Sequence, residues 1–490
     1  MGIGRTAIKT LAKAVIATLP KRCLTTAERA NAGLPAGDAT FSCAPGETFT
    51  CGFGKAVLTP DDVASGAYYI AGYDSNNPAK TVLDDMYARA VYLDDGTGRG
   101  GVVLCAVDCV GLSRKDVNDI RRAVLASADA PLLKSINIAA THSHSAVDTQ
   151  GLWGPKITKS GRNEAFLQTL KTRVAGAILD ACRGAVRGRL FYGVLATEGL
   201  QADVRAPETF DPNLTKILFR GEDGSEIVLV NFAAHAELMG SKTTAVSADF
   251  PAYMIREIEK SGPHVNAVFF NGAIGGMISA KEIKKVYRHE IDCEAYAKAY
   301  GKTLGELVNG IPCETEIEPL VNAACAPVAL PADNFALIFA RRIGVLNNDI
   351  ARGGKRSAAV VFSETGYLEL GCQRVGLFLV PGELFPELWN GAFLSAAESA
   401  AGAEAHYRVL NTLGGCDHRF VVGLCNDELG YILPDNDFLT DADRPYLNAA
   451  HDRHGRRHYE ETNSLGPATA RVLLDATADL IDAAQAASMK

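Results

Sequence analysis

The chain has 490 residues, 47% hydrophobic and 22% charged, with a formal net charge of −8. It is ordinary globular material whose length alone allows roughly three domains, and it lacks the concentrated basic surface that a nucleic-acid partner requires. Twelve cysteines with no CxxC pair suggest neither a disulfide scaffold, a zinc ribbon nor a redox pair, so buried free thiols are expected at Cys105, Cys109, Cys372 and Cys425.

At the N-terminus, "MGIGRTAIKTLAKAVIATLPKRC" is basic, but Lys9 and Lys13 leave only "AVIATLP" as an apolar core. That is far too short to span a bilayer and short for a secretory signal. Residues 1–45 read as an amphipathic or poorly ordered extension, and residues 46–490 as a single catalytic domain. No later run is long enough to be transmembrane. This favours a cytoplasmic chain over a secreted or periplasmic one.

Residues 102–145 read as a βαβ unit. "VVLCAVD" is a buried-strand pattern, and Val117, Ile120 and Val124 then recur at helical spacing. Ser113 and Asp116 resemble a capping box at the helix start. "INIAAT" returns as a strand that discharges into "THSHS", residues 141–145. The arrangement recurs four times: "EIVLVNF" before His235, "NAVFF" before "NGAIGG", "VGLFLV" before Glu383, and "FVVGL" before "NDELGY", which ends at Tyr431. Helical stretches such as "NEAFLQTLKTRVAGAILDACRG" and "CEAYAKAYGKTLGELVNG" fill the intervals, and "ARGGKRS" (351–357) reads as an exposed loop. The fold class is α/β, a mixed sheet core flanked by helices, with a candidate metal site in loops at the carboxyl ends of strands, where open α/β sheets gather ligands.

If strand geometry runs through them, His142 and His144 share a face, as metal ligands or as polar residues closing a strand. The pattern HxHxDH fails, because Ser145, Ala146, Val147 and Asp148 follow. Each further candidate has a plain structural alternative: a hydrogen-bonded core histidine for His235, a helix cap for Glu383, a half-buried aromatic for Tyr431.

The order "THSHS", "VRAP", "NFAAHAELMG" with "SADFPAYM", "LVPGELF", "GLCNDELGY" and "YEETNSLGPATA" resembles the catalytic domain of the neutral/alkaline, non-lysosomal ceramidase family, from about residue 52 to about residue 480. The resemblance implies one zinc ion per chain held by His142, His235, Glu383 and Tyr431, with room for a water nucleophile. It further implies that His144 bonds the attacking water or the oxyanion and moves protons, and that Arg205 holds the substrate carbonyl or a headgroup. Asp249 would orient a ligand histidine, and Asn271, Gly272, Asn426 and Glu428 would fall around the pocket. Manganese or iron also suits nitrogen and oxygen ligands.

The sequence departs from the family in places. The "QSNAGD"-like run with its serine is replaced by Asn271, Gly272, Ala273, Ile274, Gly275 and Gly276, which leaves only Ser279 in a shifted register. "AVDTQGLWG" replaces a glycine-rich continuation, and Glu428 replaces the first tyrosine of an "NxYxxY"-like motif. No C-terminal immunoglobulin-like domain of the kind found in the family's long members is expected. His451, His454 and His458 would share a helical face if "HDRHGRRHYE" were helical, as a solvated basic face or a second metal site.

The expected function is zinc-dependent hydrolysis of an amide, of an N-acyl sphingoid base or a related N-acyl amine, by metal-activated water. The alternatives are hydrolysis of another small amide, ester or lactone, or a non-catalytic binding protein on the same scaffold. The partner is a small-molecule or lipid-like substrate, and a homo-oligomer stays open.

Overall fold

The structure is a computed structural model that describes residues 2–22, 33–353 and 358–486. Most of the "ARGGKRS" loop, residues 354–357, lies outside the described residues, as do Cys23 and residues 24–32 of the N-terminal extension. The helices used below are α1 (Gly2–Ala17), α2 (Arg114–Leu125), α3 (Glu164–Arg183), α4 (Phe250–Glu259), α5 (Cys293–Gly310), α6 (Phe335–Arg342) and α7 (Thr469–Ala486).

The large sheet is built from β1 (Phe49–Val57), β2 (Tyr87–Asp94), β3 (Gly101–Val107), β4 (Leu133–Ala140), β5 (Val186–Ala196), β6 (Asn213–Gly221), β7 (Glu226–Phe232) and β8 (Val265–Asn271). Their spatial order is β8-β7-β6-β5-β1-β2-β3-β4, and a short β9 (Thr315–Ile317) pairs with β5. Among the described residues the parallel pairs of this sheet are its two outer ones, β3 with β4 and β7 with β8. Each is a βαβ unit, crossed by α2 and by α4. The smaller sheet holds β10 (Val321–Ala332), β11 (Ile350–Arg352), β12 (Ala359–Leu370), β13 (Val375–Leu379) and β14 (His418–Val422), in the order β10-β12-β13-β14 with β11 on β12.

Side-chain alternation sorts the layers. In β7, Val228, Val230 and Phe232 pack with α4 and α5, whereas Ile227 and Leu229 pack with Leu368, Leu377 and Phe420 of the small sheet. Helices α2 and α3 cover β2 to β4 on that same outer face through Val117, Ile120, Val174 and Ile178. Helix α7 covers the far side of the small sheet through Leu473, Leu474 and Ile481. The result is a mixed α/β stack, helices on sheet on sheet on helix. Strands buried on both faces are apolar throughout, which is why they were legible as runs.

The expected α2 starts at Ser113, whose side chain accepts from the Asp116 main-chain N–H. Cys105, Cys109 and Cys425 are buried free thiols, but Cys372 is not: it forms a disulfide with Cys43. The expectation failed there because the turn between β12 and β13 brings together residues 329 apart in sequence, a proximity that cysteine spacing does not encode.

One buried ion pair joins the helix layer to the small sheet. Arg121 on α2 donates to both carboxylate oxygens of Glu364 on β12, at 2.9 and 2.7 Å. Glu364→Ala is expected to cost about 3–5 kcal/mol, because it leaves a buried guanidinium uncompensated; urea unfolding of the variant checks this.

Candidate metal centre

The five strand ends that precede the candidate residues are stitched together by main-chain hydrogen bonds. Ala140 N–H donates to Leu424 O, Gly423 N–H to Asn271 O, Gly272 N–H to Phe232 O, and Val380 N–H to Val422 O. The backbones crowd so closely that a Cβ on Gly423 would stand 2.6 Å from the Gly272 carbonyl oxygen. Several non-glycine residues here adopt positive φ, namely His142 (65°), Asp249 (61°), Met277 (66°), Leu424 (49°) and Asn426 (67°). Such strain gathers where surrounding structure over-determines a functional geometry.

The strand does not run through "THSHS", as the shared-face expectation required. β4 ends at Ala140, and His142 turns the chain through the left-handed region. The two histidines nevertheless meet, with ring centroids 4.7 Å apart, and His235 lies 5.0 Å from His142 and 5.7 Å from His144. All three are buried, and one ring nitrogen from each lies within 4.8 Å of the others.

Glu383 completes the group. Its Oε2 is 2.9 Å from His235 Nε2 and 3.6 Å from His142 Nε2. It caps no helix: the single helical turn after it spans Pro386–Asn390, with Phe385 at its N-cap. Glu383 instead pairs in parallel with Tyr431 in a two-residue ladder. The Tyr431 hydroxyl donates to Met277 Sδ at 3.0 Å.

The Nδ1 atoms of His142 and His235 lie 2.6 and 2.8 Å from the main-chain oxygens of Val110 and Ile278. With those nitrogens as the N–H donors, both Nε2 lone pairs face Glu383. The histidine-orienting role expected of Asp249 therefore falls to two carbonyls. Asp249 is spent on the Met239 and Phe250 main-chain N–H groups, at 2.9 and 2.7 Å. It shapes the loop after His235 and caps α4.

Burial and the neighbouring His235 bring His142 down to about 4 against the pull of Glu383. Burial and two adjacent imidazoles hold His144 well below the ordinary histidine value. His235 is held above it, against burial, by hydrogen bonding to Glu383 and the charge of Glu237. A proton shared by His235 and Glu383 and a divalent cation held by both compete for the same space. His144 has no hydrogen-bond partner at either buried ring nitrogen, an expensive arrangement unless a ligand supplies one. Imidazoles beside a carboxylate, deprotonated when they bind, are the donor set of a catalytic zinc site, so these residues fit a metal.

A cavity of about 380 Å³ opens on this cluster, lined by His142, His144, Glu383, Glu428 and Tyr431. Its walls are largely apolar, with Trp153, Leu337, Ile338, Leu346 and Leu465 among them. Ser279, the serine that a shifted register offers as nucleophile, is buried but does not line it. Arg205 does not line it either: its guanidinium pairs with Asp437 at 2.6 Å and lies over the Phe385 ring.

Asn271 straps the two histidine loops together. Its Nδ2 donates to Thr141 O and Ala234 O, and its Oδ1 accepts from Ala234 and Gly272 N–H. Each histidine follows one of these residues. Asn426 fixes the small sheet to β4, accepting from Ile138 N–H and donating to Asn137.

Sequence reasoning missed the polar support beneath the cluster. Tyr73 lies edge-on to His144, with centroids 5.4 Å apart, and donates to Glu237, which Tyr287 also contacts. The spacing of "HAE", histidine at 235 and glutamate at 237, was the available signal.

The stretch "HDRHGRRHYE" is a hairpin, Ala450–His451 against Arg457–His458, so the helical face does not exist. His451 is exposed and His458 buried. Asp437, Asp452 and His458 approach one another as a metal site would. Their charges are already met by Arg205, Arg456 and Glu461. The hairpin turns because Asp452 accepts from the His454 and Arg456 N–H groups.

No protein-family model and no curated protein matches the chain by sequence. Solved structures do match. The neutral ceramidase of Pseudomonas aeruginosa superposes with a TM-score of 0.67 at 14% identity, over 89% of this chain and 74% of that one. The chain has the neutral ceramidase fold. A ceramidase complexed with C2 gives a TM-score of 0.66 at 13% identity, over 89% and 75% of the respective chains. No helix among the described residues is long and apolar enough to cross a membrane.

Proposed function

We infer that the chain is a metal-dependent hydrolase that cleaves an amide bond in an N-acyl amine, with zinc as the metal, one per chain. The observation that carries this reading is the buried meeting of His142, His144, His235 and Glu383, of which His142, His144 and Glu383 line a cavity, on a ceramidase fold. His142, His235 and Glu383 would hold the ion, and Tyr431, paired beside Glu383, is the fourth position. When bound, a zinc ion supplies Lewis acidity, acidifying water and polarising a carbonyl.

The remaining chemistry belongs to the chain. His144, with its ring nitrogens unpartnered inside the cavity, takes the proton of the attacking water and passes it to the leaving amine. The apolar walls exclude bulk water and hold an acyl group. Arg205 serves as a positioning residue, steadying Phe385 and hence the Glu383 turn, since its charge is spent on Asp437. The cavity is at the small end of the range for small-molecule sites, which favours a compact amide and keeps a small ester or lactone as the second reading. Residues 46–490 act as one catalytic unit, and the Cys43–Cys372 disulfide supports an oxidising compartment for it.

A panel of N-acyl amines, from acetyl to palmitoyl and including N-acyl sphingosine, is tested beside p-nitrophenyl esters and lactones. Amide turnover is expected, abolished by a chelator and restored by zinc. Ester or lactone turnover without amide turnover moves the second reading ahead, and binding without any turnover overturns hydrolysis.

A further inference from the structure

Besides the ring nitrogens of His144, two polar atoms beside the cavity have no partner among the described residues. Gln150 Nε2 and Glu428 Oε2 are both buried from solvent and both unbonded, and both residues line the cavity that His142, His144 and Glu383 also line. They are neighbours there. Both pack over Gly111, where an added Cβ would stand 2.5 Å from Glu428 Cγ and 2.9 Å from Gln150 Nε2. The other ends of these residues are fixed: Glu428 Oε1 accepts from the Gly430 N–H, and the Gln150 N–H donates to Asp148. A buried donor and a buried carboxyl oxygen left without partners are costly, and such groups in native structures call for a physical explanation, such as a functional role or a bridging water or ion.

We propose that Gln150 and Glu428 form a specificity subsite for a neutral substrate group that both donates and accepts hydrogen bonds, a hydroxyl or a primary carboxamide, placed a few bonds from the scissile amide. An ammonium group would satisfy the Glu428 oxygen but leave the Gln150 N–H unmet, because it has no acceptor. An alkyl group would leave both unmet. The proposal deepens the amidase reading and rests on its assignment of the cavity to substrate. Both residues lie in the segments, "AVDTQGLWG" and "NDELGY", where this sequence departs from the family it resembles.

The test compares N-hexanoyl ethanolamine and N-hexanoyl glycinamide with N-hexanoyl propylamine, which is close in size to the ethanolamide but lacks the hydroxyl. Preference is read as the ratio of kcat/KM if the amides are turned over, and as the ratio of dissociation constants by calorimetry if they are not. Failure of hydrolysis is thereby separated from failure of the subsite. The wild type is expected to favour at least one of the two polar amides by about tenfold or more, the low end of the penalty for leaving a buried hydrogen-bonding group unmet. Gln150→Leu and Glu428→Leu are each expected to bring the ratio within about twofold while keeping the fold by circular dichroism. Where either fails to fold, Gly111→Ala, which displaces both side chains, is expected to do the same. A wild-type ratio below about twofold for both polar amides, an unchanged ratio in folded variants, or no binding of any of the three overturns the proposal.

Discussion

The His142→Ala/His235→Ala variant is expected to contain no stoichiometric zinc where the wild type contains about one per chain, and to lose at least about a thousandfold in amide turnover. That loss corresponds to about 4 kcal/mol of transition-state stabilisation, a modest demand on a group that brings water into the neutral pKa range. The geometry makes the double variant decisive. Both Nε2 atoms face the same Glu383 oxygen, so removing both leaves a lone carboxylate with His144 and Tyr431 around it. Glu383→Gln should produce nearly the same loss, with less disturbance of packing. Metal content is measured by mass spectrometry after dialysis against a weak chelator, because twelve cysteines can gather zinc adventitiously. Equal zinc in wild type and variant would make these histidines structural and move the binding-protein reading ahead.

Asn271→Leu should be nearly as damaging, through stability. Asn271 is fully buried and makes four hydrogen bonds, to Thr141 O, to both main-chain groups of Ala234, and to its neighbour Gly272. A leucine of similar volume leaves several of these groups without partners, at roughly 1–3 kcal/mol each. A total of about 3–5 kcal/mol is expected, since the Gly272 N–H keeps a bond to Phe232 O. The lost straps also free the two histidine loops, so metal affinity should fall by about 10–100-fold at temperatures where the variant stays folded, as for other supporting shells. Asn271→Asp keeps the two acceptor contacts but sets a buried carboxylate against two carbonyls, so it should be destabilised as well. Urea unfolding and competitive zinc titration read the two effects separately. Unchanged metal affinity in a destabilised Asn271→Leu protein would limit Asn271 to the fold.

Within the candidate site, the sequence was most readable where chemistry and periodicity coincide. Strands buried on both faces leave continuous apolar runs, and the residues just beyond them stand out by polarity. His142, His144, His235 and Glu383 were found in this way, and the structure brings them within a few ångströms. Roles that depend on what a side chain touches were not readable. Asp249 follows a serine and an alanine as a motif would have it, yet its carboxylate serves two main-chain donors. Arg205 faces Asp437, which is 232 residues away. The three histidines of 451–458 would have shared a face had the stretch been helical, but Asp452 captures the N–H groups of His454 and Arg456 and turns the chain into a hairpin. A local side-chain bond of this kind competes directly with the helix.

By itself, the sequence determined the α/β class, the βαβ unit of residues 102–145 with its helix, the net negative charge that gives no reason to expect nucleic acid, and the candidates for a metal site. Those properties are local, written in composition and in periods of two and 3.6 residues. Only the tertiary structure decided that the outer strand ends of the large sheet meet one another across Asn271, that carbonyls rather than Asp249 orient the histidines, and that Cys43 reaches Cys372. It alone set Gln150 beside Glu428 over Gly111. Each of those facts is a contact between segments far apart in the chain, fixed by how two sheets stack and where their ends cross. No single segment carries the energy that chooses them.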